Sequence, residues 1–134
     1  MNKNLKIESN INNLRVVENA IDEVTSEIGI KDDNYGKILV STLEAVNNAI
    51  LHGNNSNPKK FVNIAIVFNN SELKIKVTDE GHGFRPEKVQ DPTTPTNIVQ
   101  INGRGIFLMS HLADKISYSK RGNAVTMTFK IIVS

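Results

Sequence analysis

The chain contains no cysteine and no tryptophan, which removes a disulfide scaffold, a thiolate zinc site and a thiol nucleophile from consideration. Aromatic residues are scarce, five Phe and two Tyr. None is interleaved with basic residues in the manner of a single-strand nucleic-acid groove. Long apolar runs are missing too: nothing approaches the roughly 20 residues of a membrane span. The N-terminal MNKNLKIESN lacks the apolar core of a signal peptide. Nor does one sign of charge dominate. Sixteen Lys and Arg against fourteen Asp and Glu leave a net charge of +2, and the densest basic pairs are Lys59-Lys60 and Lys120-Arg121. These absences argue against direct nucleic-acid binding and against a membrane partner, and a cytoplasmic protein is expected. At 134 residues the chain suits one domain, residues 1–134, able to bury about two-thirds of its unfolded surface.

What is present is periodic. Leu14, Val17, Ile21, Val24 and Ile28 recur every three or four positions, which predicts an amphipathic helix from Asn12 to Ile28 with Gly29 as its stop. Asp32 or Asp33 is expected to cap a second helix whose apolar face carries Tyr35, Ile38, Leu39, Leu43, Val46 and Ile50, running to about Leu51 and ending at His52-Gly53. Before them, Leu5 to Ser9 reads as a short edge strand. After the polar NNSNP stretch, β-branched residues from Phe61 to Phe68 and period-two alternation from Leu73 to Thr78 predict an antiparallel hairpin. Glu80 to Asn102 holds three of the four prolines and reads as a long loop of the functional kind. A helix from Gly103 to about Ala113 and strands at Lys115–Ser119 and Ala124–Val133 complete the chain. Strands joined by hairpins do not build a doubly wound sheet. The expected fold class is α+β, a two-layer sandwich with helices on one face of a mostly antiparallel mixed sheet.

Three short segments carry chemistry. In Glu44-Ala45-Val46-Asn47-Asn48-Ala49-Ile50-Leu51-His52-Gly53, Glu44 and Asn48 lie about 40° apart around a helix, so a carboxylate and an amide face one ligand from one side. The plain alternative is that both simply face water. Asp79-Glu80-Gly81-His82-Gly83 ends a strand with an acceptor beside backbone that a flat ligand can approach; an ordinary strand-ending turn is the alternative. Gly103-Arg104-Gly105-Ile106 opens a helix, where unpaired N–H groups attract phosphate oxygens, or else serves as a hinge. No G-x-x-x-x-G-K-[ST] or G-x-G-x-x-G run competes with it. His52, His82 and His111 lack metal-ligand spacing, and no serine stands in a G-x-S-x-G elbow.

In this order the three segments resemble the N, G1 and G2 boxes of the Bergerat ATP-binding fold. Glu44 to Gly53 and Gly103 to Met109 are most similar to the stand-alone anti-sigma factor serine kinases, and the resemblance runs from about Leu14 to Phe129. It implies ATP and Mg²⁺ as cofactors, with Asn48 the protein ligand to the metal and Glu44 the catalytic base or orienting group. It also implies Asp79 as acceptor for the adenine amino group, with Gly81 and Gly83 admitting the base. Gly103, Arg104, Gly105 and Ile106 would cradle the phosphates under a lid from about Asp91 to Asn102. The implied partners are an anti-anti-sigma protein, phosphorylated on serine, and a sigma factor that is sequestered. A homodimer is implied as well, with Arg15 and Glu18 exposed on the first helix. One departure stands out: the family carries a Thr just after the glycine of the last hairpin, and aligning Gly122 with that glycine puts Ala124 in its place, which implies either a weaker hold on adenine or Thr126, two residues on, as a substitute. The competing function is a module that binds ATP and a protein partner without catalysis.

Overall fold

The computed structural model describes residues 1–30, 32–81 and 112–131. The long loop beyond Gly81 and most of the helix expected from Gly103 lie outside them. The predicted hairpin is formed by β2 (Phe61–Asn69) and β3 (Glu72–Thr78), in a register that places Ile64 opposite Val77 and Ile66 opposite Ile75. Its two turn residues, Asn70 and Ser71, both have positive φ, 53° and 61°. That is the type I′ geometry whose twist matches the flanking strands.

β5 (Ala124–Lys130) pairs with the free side of β3, and β4 (Lys115–Tyr118) closes that edge. β1 (Asn2–Glu8) lies along β2, giving the order β1-β2-β3-β5-β4. Every pairing among the described residues is antiparallel, a narrower result than the mixed sheet expected, because the chain reverses direction at each of these neighbours. β1 also starts earlier than the predicted Leu5. Its outward residues Asn2, Asn4, Lys6 and Glu8 are polar, and only Leu5 and Ile7 join the core, so the first half of the strand shows little apolar signal.

α1 (Leu14–Ile28) follows a 3₁₀ turn at Ile11–Asn13 and stops at Gly29. There the left-handed φ of 91° lets the N–H reach the Thr25 carbonyl. α2 (Asp32–Asn48) begins at Asp32, so both Asp32 and Asp33 lie within its first turn and neither is the capping residue before it. The α-helical bonding ends at Asn48, three residues before the predicted end, and Ala49–Gly53 form a π-helical turn. The Asn54 N–H donates to the Ala49 carbonyl five residues back at 2.8 Å. Widened turns of this kind are common at functional sites.

The helices cover one face of the sheet. Val17, Ile21 and Val24 of α1, with Ile38 and Val46 of α2 and Ile50 of the π-turn, pack on Ile64, Ile66, Leu73, Ile75, Val77, Met127 and Phe129. Each such side chain contributes about 1.5–3 kcal/mol through burial. The other face carries exposed Lys74, Lys76, Lys115 and Lys130. The only salt bridge among the described residues, Lys3 with Glu23, is exposed and adds little. No described helix is long and apolar enough to cross a membrane.

Ile75 occupies the central strand and is fully buried, whereas its neighbour Lys76 faces water. Ile75→Ala is expected to lower the unfolding free energy by about 2–5 kcal/mol. Lys76→Ala should stay within about 0.5 kcal/mol of the parent. Urea melts of the two variants measure the contrast.

Candidate functional site

β3 turns Leu73, Ile75 and Val77 inward, and Asp79, one residue past its end, continues that alternation. The sheet ladder continues with it, since the Asp79 N–H donates to the Asn123 carbonyl at 2.9 Å. Asp79 therefore comes under the helical layer, where the π-turn at the end of α2 meets it. A Cβ on Gly53 would lie 2.3 Å from the Asp79 Cγ and Oδ2. A Cβ on Gly81 would lie 1.9 Å from the Gly53 carbonyl oxygen. The first and second sequence segments thus touch backbone to backbone. At both positions glycine is required by space, since neither shows a positive φ.

The Asp79–Gly81 turn is held from three directions. Its own carboxylate Oδ1 accepts the Gly81 N–H at 2.8 Å. From the turn before β5, the Asn123 amide donates to the Asp79 carbonyl at 3.0 Å and Arg121 Nη2 donates to the Gly81 carbonyl at 3.2 Å. From the far side, Asn54 Oδ1 accepts the Glu80 N–H at 2.8 Å. Asn54 is fully buried; its amide nitrogen donates to Ser9 Oγ at 2.8 Å and to the Phe61 carbonyl at 3.0 Å. The Glu80 carboxylate in turn accepts the Phe61 N–H. Burial raises the Asp79 carboxyl above the ordinary carboxylate range, against the opposing pull of the Gly81 N–H, Arg121 and Lys60.

Glu44 and Asn48 are both half-buried on α2, and Asn48 is the residue at which the π-turn begins. Beside it, the Asn47 amide oxygen is buried without a hydrogen-bond partner among the described residues, as is the Ser41 hydroxyl four residues before Ala45. His52 is exposed. Gly83, Gly103, Arg104, Gly105 and Ile106, the lid segment, His82 and His111 lie outside the described residues. Arg15 and Glu18 are exposed as expected.

One expectation is corrected. Thr126 pairs with Lys76 and Ala124 with Thr78, and paired residues share a sheet face. Lys76 is on the outer face, so neither residue reaches the Asp79 side, and Thr126 does not stand in for the missing Thr. The residue across from Asp79 is Asn123. Sequence reading also missed Asn54, Asn47 and Arg121. Asn47 lay inside the first segment and Asn54 directly after it, whereas Arg121 stood only as half of a basic pair.

A histidine kinase-like ATPase domain model matches residues 7–129, from the inward end of β1 to the end of the β5 core. Over 131 residues the chain is 30% identical to the serine-protein kinase RsbW of Bacillus velezensis, covering 92% of this chain and 82% of the relative. The chain belongs to this family. It is also 28% identical over 99 residues to the anti-sigma F factor of Geobacillus stearothermophilus, covering 72% of this chain and 68% of the relative. Among solved structures, the RsbU and RsbW domains of Rv1364c from Mycobacterium tuberculosis share the fold, with a TM-score of 0.69 at 19% identity. The alignment covers all of this chain but only 35% of that one. The family match spans every described element of the site: the π-turn, the Asp79 turn and the β4–β5 connection.

The two kinds of glycine in this region should respond oppositely to a methyl group. Gly81→Ala must push the Gly53 backbone aside and is expected to cost about 1–3 kcal/mol. Gly36, inside α2 with nothing within 4 Å, should gain about 0.5–1 kcal/mol as Ala. Chemical denaturation of both variants reads the difference in sign.

Asp79 yields a prediction in pH. Its folded pKa lies above the unfolded 3.8, so the carboxyl's contribution is fully present below 3.8 and is lost as pH rises through the folded value. Asp79→Asn should therefore be more stable than the parent at pH 7 in the absence of nucleotide. The gap should close towards pH 3.8. Thermal melts across that range check it.

Proposed function

We propose that this chain is a single ATP-binding domain that transfers the γ-phosphoryl group of ATP to a serine of an anti-anti-sigma protein and otherwise sequesters a sigma factor. The observation that carries the reading is the contact of Gly53, Asp79 and Gly81, in which a partly desolvated carboxylate is packed against two glycines. A carboxylate there accepts the adenine amino group and repels the carbonyl that guanine presents at the same place. Gly81, bare of side chain, lets the turn close against the Gly53 carbonyl and so fixes the carboxylate beside the helix end. The relatives named serine-protein kinase and anti-sigma F factor support the regulatory half of the reading.

The oxygen donors present suit the metal that the family uses. Asn48 would supply a side-chain oxygen, the donor type a hard cation takes. When bound, Mg²⁺ would neutralise charge on the phosphates. Glu44, about one turn before Asn48, would take the proton of the attacking serine hydroxyl. In that step a bond forms from the serine Oγ to phosphorus, the bond from phosphorus to the bridging oxygen breaks, and ADP leaves. Phosphoryl transfer is mostly positioning and charge stabilisation, so the base is one contributor among several. Gly83, Gly103, Arg104, Gly105 and Ile106 are proposed for the second glycine and the phosphate cradle. A homodimer in the cytoplasm, with the α1 face of Arg15 and Glu18 turned to partners, completes the proposal.

Incubation with γ-labelled ATP, Mg²⁺ and an anti-anti-sigma protein should label a serine of that protein. Glu44→Ala is expected to retain ATP binding and lower transfer by about 10²–10⁴-fold, while Asn48→Ala should lose the Mg²⁺-dependent part of nucleotide affinity. Partner binding without label in the parent protein would instead mark a non-catalytic module. Transfer at the parental rate in Glu44→Ala would remove that residue from the chemistry.

A further inference from the structure

The Asp79–Gly81 turn has an unusual problem. It must aim a carboxylate at a ligand, yet it contains a glycine, the least constrained of residues, and among the described residues its backbone ladder runs only to Asn123. A hydrogen bond to a purine amino group tolerates only about 0.5 Å or 10–20° of error in its acceptor. Two amide side chains, neither part of the motif segments, close the gap. Asn123 reads the turn from the sheet side, with its backbone carbonyl taking the Asp79 N–H and its side chain donating to the Asp79 carbonyl. Ser119 Oγ donates to the Asn123 Oδ1 at 3.2 Å and so orients the amide. Asn54 reads it from the helix side through the Glu80 N–H.

The chemistry of position 54 is demanding. It requires one acceptor towards Glu80 and donors towards both Ser9 and the Phe61 carbonyl. Only a primary amide offers an acceptor and a two-hydrogen donor on one short side chain, and the partners fix which end is which. Complete burial removes water as a substitute for any of these bonds, so each left unmade is costly. Through Asn54, β1, the start of β2, the π-turn and the Asp79 turn become one mechanical unit.

We propose that Asn54 and Asn123 are positioning residues that set the direction of the Asp79 carboxylate and thereby the discrimination of the 6-amino group of the purine. This rests on the reading of Asp79 as the base acceptor. The two residues act on the ligand only through Asp79, from opposite sides of the same turn.

The test is equilibrium binding of ATP and of purine riboside 5′-triphosphate, which lacks the amino group, to the full chain and its variants. The parent should prefer ATP by about ten- to a hundredfold, the value of one hydrogen bond to a charged acceptor. Asn54→Ala and Asn123→Ala should each cut that preference at least threefold, and amide exchange at Glu80 should speed up in the nucleotide-free Asn54→Ala protein. Ser9→Ala, which loosens the same node without touching the turn, should lower stability and keep the preference. A parental preference in either Asn variant overturns the assignment of that residue; loss of preference in Ser9→Ala overturns it in favour of general loosening. Because Asn123 lies in a different element, it carries the test if Asn54→Ala does not fold. Asp79→Asn separates the two levels. If it retains the preference, the base site itself falls; if it loses the preference while both Asn variants keep theirs, only the positioning role does.

Discussion

The contact on which the site depends is made by atoms that are absent as much as by those present. Gly53 closes the helix end and Gly81 the strand-end turn, and the carbonyl of one occupies the space where the other would carry a methyl group. The Asp79 carboxylate is wedged into the same volume. Two elements almost thirty residues apart in the chain therefore meet main chain to main chain, with the Asp79 carboxylate as the one side chain packed into the contact. Main chain makes a stiffer frame than rotatable side chains do, which suits a flat ligand that must be recognised along one edge.

That stiffness is opposed by the burial of an ionisable group. The Asp79 carboxyl is raised by desolvation even with the Gly81 N–H, Arg121 and Lys60 favouring its charge. The protein thus keeps a charge where the fold disfavours it, a cost located at the Asp79 turn and offset by the core beneath. The sheet and helices supply the surplus: the inward Val, Ile, Leu and Phe side chains form one continuous cluster under both helices. Strain or unfavourable charge persists at functional sites when the surrounding structure over-determines them, and the hydrogen bonds from Asn54, Asn123 and Arg121 do so here.

Much of this fold was legible in the residues. The three- and four-residue spacing of Leu14 to Ile28 marked α1, and the alternation of Leu73 to Thr78 marked β3, because burial of one face is written directly into side-chain polarity. The start of β1 was harder, since an edge strand with polar outward residues differs little from a loop until its partner is known. The π-turn left no trace, because shifting a hydrogen bond from four residues to five changes no side chain. Asn54 was read as part of a polar loop for a related reason: a buried, fully bonded amide and a solvated one are the same letter. The face of Thr126 needed the register with Lys76, which depends on another strand. The contact of Gly53 with Asp79 and Gly81 joins residues far apart in the chain, and no local pattern reveals it.

The widened turn at Ala49–Gly53 also sets where this chain can change length. Removing one residue there would restore ordinary helical bonding but rotate everything after it by about 100°, carrying Gly53 off the Asp79 carboxylate and Asn54 out of its socket. Pro58 and Lys59, only a few positions later, are exposed, and surface loops absorb insertions at small entropic cost. Length variation among proteins built on this plan should therefore collect just before β2, leaving the phase of the preceding helix end unchanged.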